Sequence, residues 1–176
     1  MTPSQTIGPF FGFALPWPAG AHVVPAGTPG TIRLHGRLYD GNGEPVTDGL
    51  IESWQCDPEG HFAGGGAAGW FRGFGRCATD GDGAFAIVTV KPGLIRIANF
   101  VHAPHILLSV YARGLLKRVS TRIYFPDEPE ANAGDPALAS VAEGARRATL
   151  IAATSDEGYR FDIHLQGQGE TVFFDV

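Results

Sequence analysis

The chain has 176 residues, 44% hydrophobic and 18% charged, with a net charge of -5. That balance builds one folded domain over 1–176 with a sizeable core and argues against disorder, and it gives no basic footprint for nucleic acid. No apolar run approaches the ~20 residues of a membrane span, so no membrane role is expected.

The first fifteen residues read as an N-terminal arm. MTPSQTIGPF has neither the basic nor the long apolar region of a signal peptide, so a cytoplasmic location with reduced thiols at Cys56 and Cys77 is expected. Gly8-Pro9 forces a turn, and Phe10, Phe11 and Phe13 crowd behind it. An arm this aromatic packs on its own body or on a partner. Pro16 to Gly30 is a surface loop rich in Pro, Gly and Ala.

Thr31 to Asp40 alternates as a strand, with Ile32, Leu34, Gly36 and Leu38 on one face. Asp40-Gly41-Asn42-Gly43 is a hairpin turn. Leu50 to Cys56 is the next strand, ended by Asp57-Pro58-Glu59-Gly60. A flexible run spans Ala63 to Gly69, and Trp70 to Cys77 pairs again. Thr79 to Gly83 turns the chain into a strand over Ala84 to Val90; its DGDG lacks the closing Glu and flanking helices of an EF-hand.

Lys91-Pro92-Gly93 opens a stretch that becomes the strand His105 to Tyr111. Alternation puts His105, Leu107, Ser109 and Tyr111 on one face and Ile106, Leu108 and Val110 on the other. A metal site on this strand needs a second donor two residues after His105, and Leu107 stands there. Leu116 to Phe125 is a further strand. Glu130 to Val141 holds one or two short helical turns, Tyr159 to Leu165 alternates as a strand, and Glu170 to Val176 ends the chain as another. Short strands separated by Gly/Pro turns make an all-β sandwich.

Several segments together are familiar: TPSQTIGPF at Thr2, DGNG at Asp40, ESWQCD at Glu52, VKPG at Val90, APHI at Ala103, YARG at Tyr111, TRIYF at Thr121 and GQGETVFFD at Gly167. In number and order they resemble the intradiol ring-cleavage dioxygenase family from Thr2 to the C-terminus. The YARG segment and the ending resemble in particular the α chains that pair with a β subunit to cleave protocatechuate. The resemblance implies a β-sandwich with mixed sheets, long loops and short helical turns.

It also implies a ferric site of two tyrosines and two histidines in the catalytic chains. One tyrosine falls where this sequence has Phe62, and the second follows the KPG turn, where it reads Leu94-Ile95-Arg96. The second histidine falls at Leu107. Phenolates are the hard donors that hold Fe(III), and neither phenylalanine nor leucine supplies a donor. The expectation is that this chain binds no metal and has no catalytic residues of its own, and that Fe(III) sits in the β partner. The implied reaction inserts O2 between the hydroxyl-bearing carbons of protocatechuate, giving 3-carboxy-cis,cis-muconate. Gly8, Pro9 and Arg113 are then the substrate-binding residues this chain supplies to the pocket. His105 is expected as a core or interface histidine bonded to backbone, and the cysteines as buried free thiols. Two rival readings are an independent enzyme with an unusual metal site at His105, and a transthyretin-like binding or structural module with no catalytic partner.

Overall fold

The computed structural model describes residues 3–66 and 69–175. Met1 and Thr2 of the arm, Ala67 and Ala68 of the glycine-rich run, and Val176 of the expected last strand lie outside the described residues. In chain order the elements are α1 (Phe11–Ala14), β1 (Thr31–Tyr39), β2 (Leu50–Trp54), β3 (Phe74–Ala78), β4 (Ala84–Val90), β5 (Ile95–Ile97), β6 (Phe100–His102) and β7 (His105–Tyr111). They continue with β8 (Val119–Tyr124), α2 (Pro129–Gly134), α3 (Pro136–Ser140), α4 (Gly144–Ala148), β9 (Ala153–Ser155), β10 (Gly158–Arg160) and β11 (Ile163–His164).

Two sheets face each other. In one, β1 pairs antiparallel with β4 along one edge and parallel with β10 and β11 along the other, and β9 flanks β10. The other is antiparallel in the order β3-β2-β7-β8. A two-stranded ribbon, β5-β6, stands apart. The expected β-sandwich with mixed sheets is therefore the observed one.

The alternation of β1 and β7 fixes which sides meet. Leu34 and Leu38 from one sheet and Ile106, Leu108 and Val110 from the other are buried in a single cluster with Ile51, Ile87, Ile123 and Phe161. Fully burying each such side chain is worth about 1.5–3 kcal/mol, so this face clamps the two sheets together. The opposite face of the antiparallel sheet carries Glu52, Leu107, Ser109, Tyr111 and Arg122, all only half-buried. That outer face positions the candidate site.

The expected Asp40 hairpin turn forms: Asp40 Oδ1 accepts the amides of Asn42 and Glu44, the Asp40 and Val46 amides bond the Glu44 and Leu38 carbonyls, and Tyr39 bridges Pro45 antiparallel before the chain crosses to the other sheet. Two sequence expectations need correction. The strand expected over Tyr159 to Leu165 splits into β10 and β11 in one register against β1, because the Arg37 amide bonds the Asp162 side chain instead of a ladder carbonyl. The strand expected over Glu170 to Val176 is an extended tail among its described residues. Its amides go to three different partners: Thr171 to the His164 carbonyl, Val172 to the Thr149 hydroxyl and Phe174 to the Ser120 carbonyl. Donors dispersed in this way build no ladder.

Candidate functional site

The outer face of the antiparallel sheet is laid out in rows across the strands. Phe74, Trp54, Leu107 and Arg122 stand side by side on β3, β2, β7 and β8; Arg76, Glu52, Ser109 and Ser120 form the next row. Trp54 stacks on Phe62 with centroids 6.0 Å apart and rings nearly parallel. Phe62 and Leu107 therefore both border Trp54. The segment after the KPG turn reaches the same corner. The Gly93 amide bonds the Asp57 carbonyl at 2.9 Å, and the Cys56 thiol donates to the Gly93 carbonyl at 3.5 Å. A Cβ on Gly93 would stand 2.2 Å from the Pro58 carbonyl oxygen, so only glycine permits this approach. Phe62 and Leu107, distant in sequence, thus border the same tryptophan, and the backbone of Gly93 and Leu94 packs on the turn over residues 57–60 that leads to Phe62.

The donor chemistry of that corner does not fit a ferric ion. Phe62, Leu94, Ile95 and Leu107 carry no ligand atom. His105 is buried, and its Nδ1–H donates to the Ala103 carbonyl at 2.7 Å. Burial pushes its pKa down to about 4, so the ring is neutral at physiological pH. This is the backbone-bonded core histidine expected from the sequence. Among the described residues no group of three or more His, Cys, Asp or Glu side chains is arranged to hold a metal.

The tyrosines lean the same way. Tyr111, Tyr124 and Tyr159 donate their hydroxyls to Glu52, Asp135 and Asp127 at 3.2, 3.0 and 3.0 Å. Burial raises the pKa of each, and the neighbouring carboxylate raises it further. A phenolate, the form that binds Fe(III), is disfavoured at all three.

The structure brings Gly8, Pro9 and Arg113 to one edge. The Ile7 amide donates to the Leu115 carbonyl at 2.9 Å, which pins the arm beside the turn that carries Arg113. Gly8 follows with φ +66° and open space where a Cβ would stand. Pro9 leads into α1, its carbonyl accepting the Gly12 amide. Phe11 is buried beside Tyr111, with centroids 6.1 Å apart, whereas Phe10 and Phe13 are 75% and 83% exposed.

Arg113 lies in the turn after β7. Its Nε stands 2.8 Å from Asp48 Oδ2, although the side chain is 71% exposed.

Two constellations were missed from sequence. Arg76 pairs with Glu52 through Nε at 2.8 Å and through a terminal nitrogen, and its guanidinium lies 5.0 Å over the Trp17 ring. Asp135, fully buried, accepts the amides of Ala103, Ala137 and Leu138 and the Tyr124 hydroxyl, with His102 Nδ1 at 3.3 Å. Burial alone would raise its pKa, but these partners hold it below the usual value. The signal was Asp135-Pro136, a helix cap followed by an N1 proline. The cysteines are free. Cys56 is buried, which pushes its pKa up to about 11, and Cys77 is partly buried.

Comparison with known proteins now bears on these observations. A family model described as dioxygenase matches residues 8–167. The α chain of protocatechuate 3,4-dioxygenase from Pseudomonas putida is 42% identical over 99% of this chain and 96% of its own length. The β chain of that enzyme from Burkholderia cepacia is 32% identical over 80% of this chain and 66% of its own. Among solved structures, the dioxygenase domain of a dioxygenase–carbohydrate-binding fusion from Streptomyces sp. SirexAA-E superposes with a TM-score of 0.62 at 26% identity, over 94% of this chain and 98% of that one. These similarities favour a dioxygenase over the transthyretin-like alternative. With the family model spanning most of the chain and an α-chain relative matched nearly end to end, the chain belongs to the intradiol ring-cleavage dioxygenase family.

Proposed function

We propose that this chain is the non-iron α subunit of a protocatechuate 3,4-dioxygenase, a single domain working in a cytoplasmic hetero-oligomer. The observation that carries this reading is the corner around Trp54. A chain of the iron-dependent family has Phe62 and Leu107 there, and Leu94-Ile95-Arg96 after the KPG turn. In this reading the Fe(III) belongs to a β subunit. The reaction breaks the bond between the two hydroxyl-bearing carbons of protocatechuate, adds both atoms of O2 to them and yields 3-carboxy-cis,cis-muconate.

This chain's part is the pocket wall. Gly8, with no side chain and nothing crowding it, lets the arm's backbone approach a ligand closely. Pro9 adds a rigid apolar surface. Arg113, fixed in charge and mostly exposed, offers a planar fork to the substrate carboxylate or to a partner group. The exposed Phe10 and Phe13 on the same arm give the β subunit an apolar footing.

Co-expression with a β-type chain tests the proposal. Purified alone, this chain should contain no iron, show no tyrosinate-to-iron absorption and cleave no protocatechuate; the complex should contain iron and consume O2 and protocatechuate one to one. A burgundy, active chain in isolation would sink the assignment.

A further inference from the structure

The outer face of the mixed sheet carries a depression of its own, on the opposite side of the sandwich from the corner around Trp54. β1 turns Arg33, His35 and Arg37 to this side, and the register sets Arg160 of β10 beside His35. On the other flank β4 offers only small side chains, Ala84 opposite Arg37 and Ala86 opposite His35. Small residues among long ones leave a recess of about 350 Å3, walled by Arg33, Arg37, Arg160, Glu157 and Asp162 around His35. Three guanidiniums converge there in a chain whose net charge is -5.

The carboxylates of the recess already have partners. Glu157 pairs with Arg33. Asp162 accepts from Arg160 at 2.6 Å on Oδ2 and from the Arg37 backbone amide at 3.0 Å on Oδ1. The Arg37 side chain is left over. Among the described residues its guanidinium makes no ion pair and no hydrogen bond; only its backbone amide engages Asp162. Asp80, on the turn before β4, feels the Arg37 charge, but its Oδ1 accepts the amides of Asp82 and Ala84. His35 is half-buried, and its Nε2 stands 2.9 Å from the Ser155 hydroxyl, which fixes the ring. Burial first, then the charges of Arg33 and Arg160, hold its pKa below the ordinary value, with Asp162 opposing them. The recess thus holds one unpaired cation and one imidazole that its positive neighbours keep neutral. An anion entering it neutralises the first and lets the second take up a proton, so two negative charges match what the recess offers.

We propose that this recess binds a dianionic phosphate group, received by the fork of Arg37 and the unused donors of Arg33 and Arg160, above His35. The planar guanidinium matches phosphate oxygens bidentately. A monoanion such as a carboxylate meets only half of the available charge, and a neutral ligand leaves the Arg37 donors unmatched. The phosphate group is that of the free ion or of a phosphate monoester, which share this chemistry. The inference stands on this chain's own residues and does not depend on the subunit assignment.

Inorganic phosphate titrated into the full chain at pH 7.5, at constant ionic strength, tests it. Binding is read by calorimetry and by the His35 ring-proton resonances, identified by their loss in His35→Gln. Binding should saturate with a Kd below about 5 mM, and His35 should protonate at higher pH in the phosphate-bound chain than in the free one. Acetate should bind at least tenfold more weakly. Arg37→Gln should weaken phosphate at least tenfold and abolish the His35 response. Glu157→Gln, which frees Arg33, should tighten phosphate severalfold. Arg37 and Glu157 are both exposed, so both variants keep the fold, and their opposite signs separate a built site from general charge attraction. Methyl phosphate held as tightly as inorganic phosphate assigns the recess to monoesters, and at least tenfold weaker binding assigns it to the free ion; either result supports the proposal. No saturation below about 10 mM, acetate bound as well as phosphate, wild-type affinity in Arg37→Gln, or a Glu157→Gln chain that binds no tighter would each overturn it.

Discussion

His105 enters the fold neutral, and that makes acid its adversary. Its folded pKa is held near 4 by burial, against an ordinary value of 6.5. Between those two values the unfolded chain takes up a proton that the folded chain refuses, so stability falls as pH drops from about 6.5 to 4 and is flat above. A displacement of this size is worth roughly 3 kcal/mol at its full extent. Urea midpoints measured at pH 7.5 and pH 4.5 should show the loss, and His105→Gln should flatten the slope while lowering the midpoint at pH 7.5. A slope equal to wild type in that variant would place the titration elsewhere. Arg113 separates two roles by their magnitudes. Its exposed pair with Asp48 is worth about 0–1 kcal/mol to folding. A charge-assisted bond in a pocket is worth about 1.5–3 kcal/mol, tenfold or more in rate or affinity. Arg113→Ala in an assembled αβ enzyme should therefore barely move the melting temperature, keep its iron and lower kcat/KM at least tenfold. Arg113→Lys should recover part of that. Unchanged steady-state kinetics would leave Arg113 as no more than the partner of Asp48.

Secondary elements were legible wherever one face is buried and the other is not. β1, β4 and β7 alternate cleanly because each lies between a core and an outer surface, and β7 was read to the residue. The tail over Glu170 to Val176 misled because its residue types suit a strand, while its hydrogen bonds are decided by what lies nearby in space. The meeting of Phe62 and Leu107 at Trp54, with Leu94 against the turn that leads to Phe62, was equally hidden. It depends on Gly93 lying against Pro58, a packing fact that no spacing encodes, and only the resemblance to a family tied those positions together. The arm is an intermediate case, since its aromatics announced packing but not its place. Held by the Ile7 amide, by Phe11 and by the Leu15 carbonyl, which accepts from Arg76, it contributes little to the core. Removing residues 1–10 should cost the isolated domain less than about 1 kcal/mol, because the core is untouched. In the proposed αβ enzyme the same deletion should reduce turnover of protocatechuate, since Gly8 and Pro9 leave the pocket with it. Unchanged kinetics in a complex that still assembles would reject a pocket role for the arm.

At the scale of the whole molecule, the surface is more apolar in places than a solitary domain needs. The β5-β6 ribbon presents Ile97, Phe100 and Val101 at 57%, 59% and 40% exposed, and Leu94 at its base is 41% exposed. The ribbon stands outside both sheets, so nothing in the sandwich core calls for these side chains. Contiguous exposed apolar residues of this kind mark surfaces that another protein covers. In the proposed reading that protein is the β subunit. Burying one such side chain contributes about 1.5–3 kcal/mol, and a charge in its place forfeits that gain and adds a desolvation cost. Ile97→Asp combined with Phe100→Asp should therefore leave the chain's own circular dichroism and melting temperature near wild type, because both side chains already face water. The same pair should weaken assembly with a β-type chain by at least a hundredfold, read by sedimentation at graded concentrations. Iron should then remain with the β chain, which separates failed assembly from failed metal loading. If the double variant assembles as tightly as wild type, the ribbon is not part of the interface, and the arm with its exposed Phe10 and Phe13 becomes the surface to charge next.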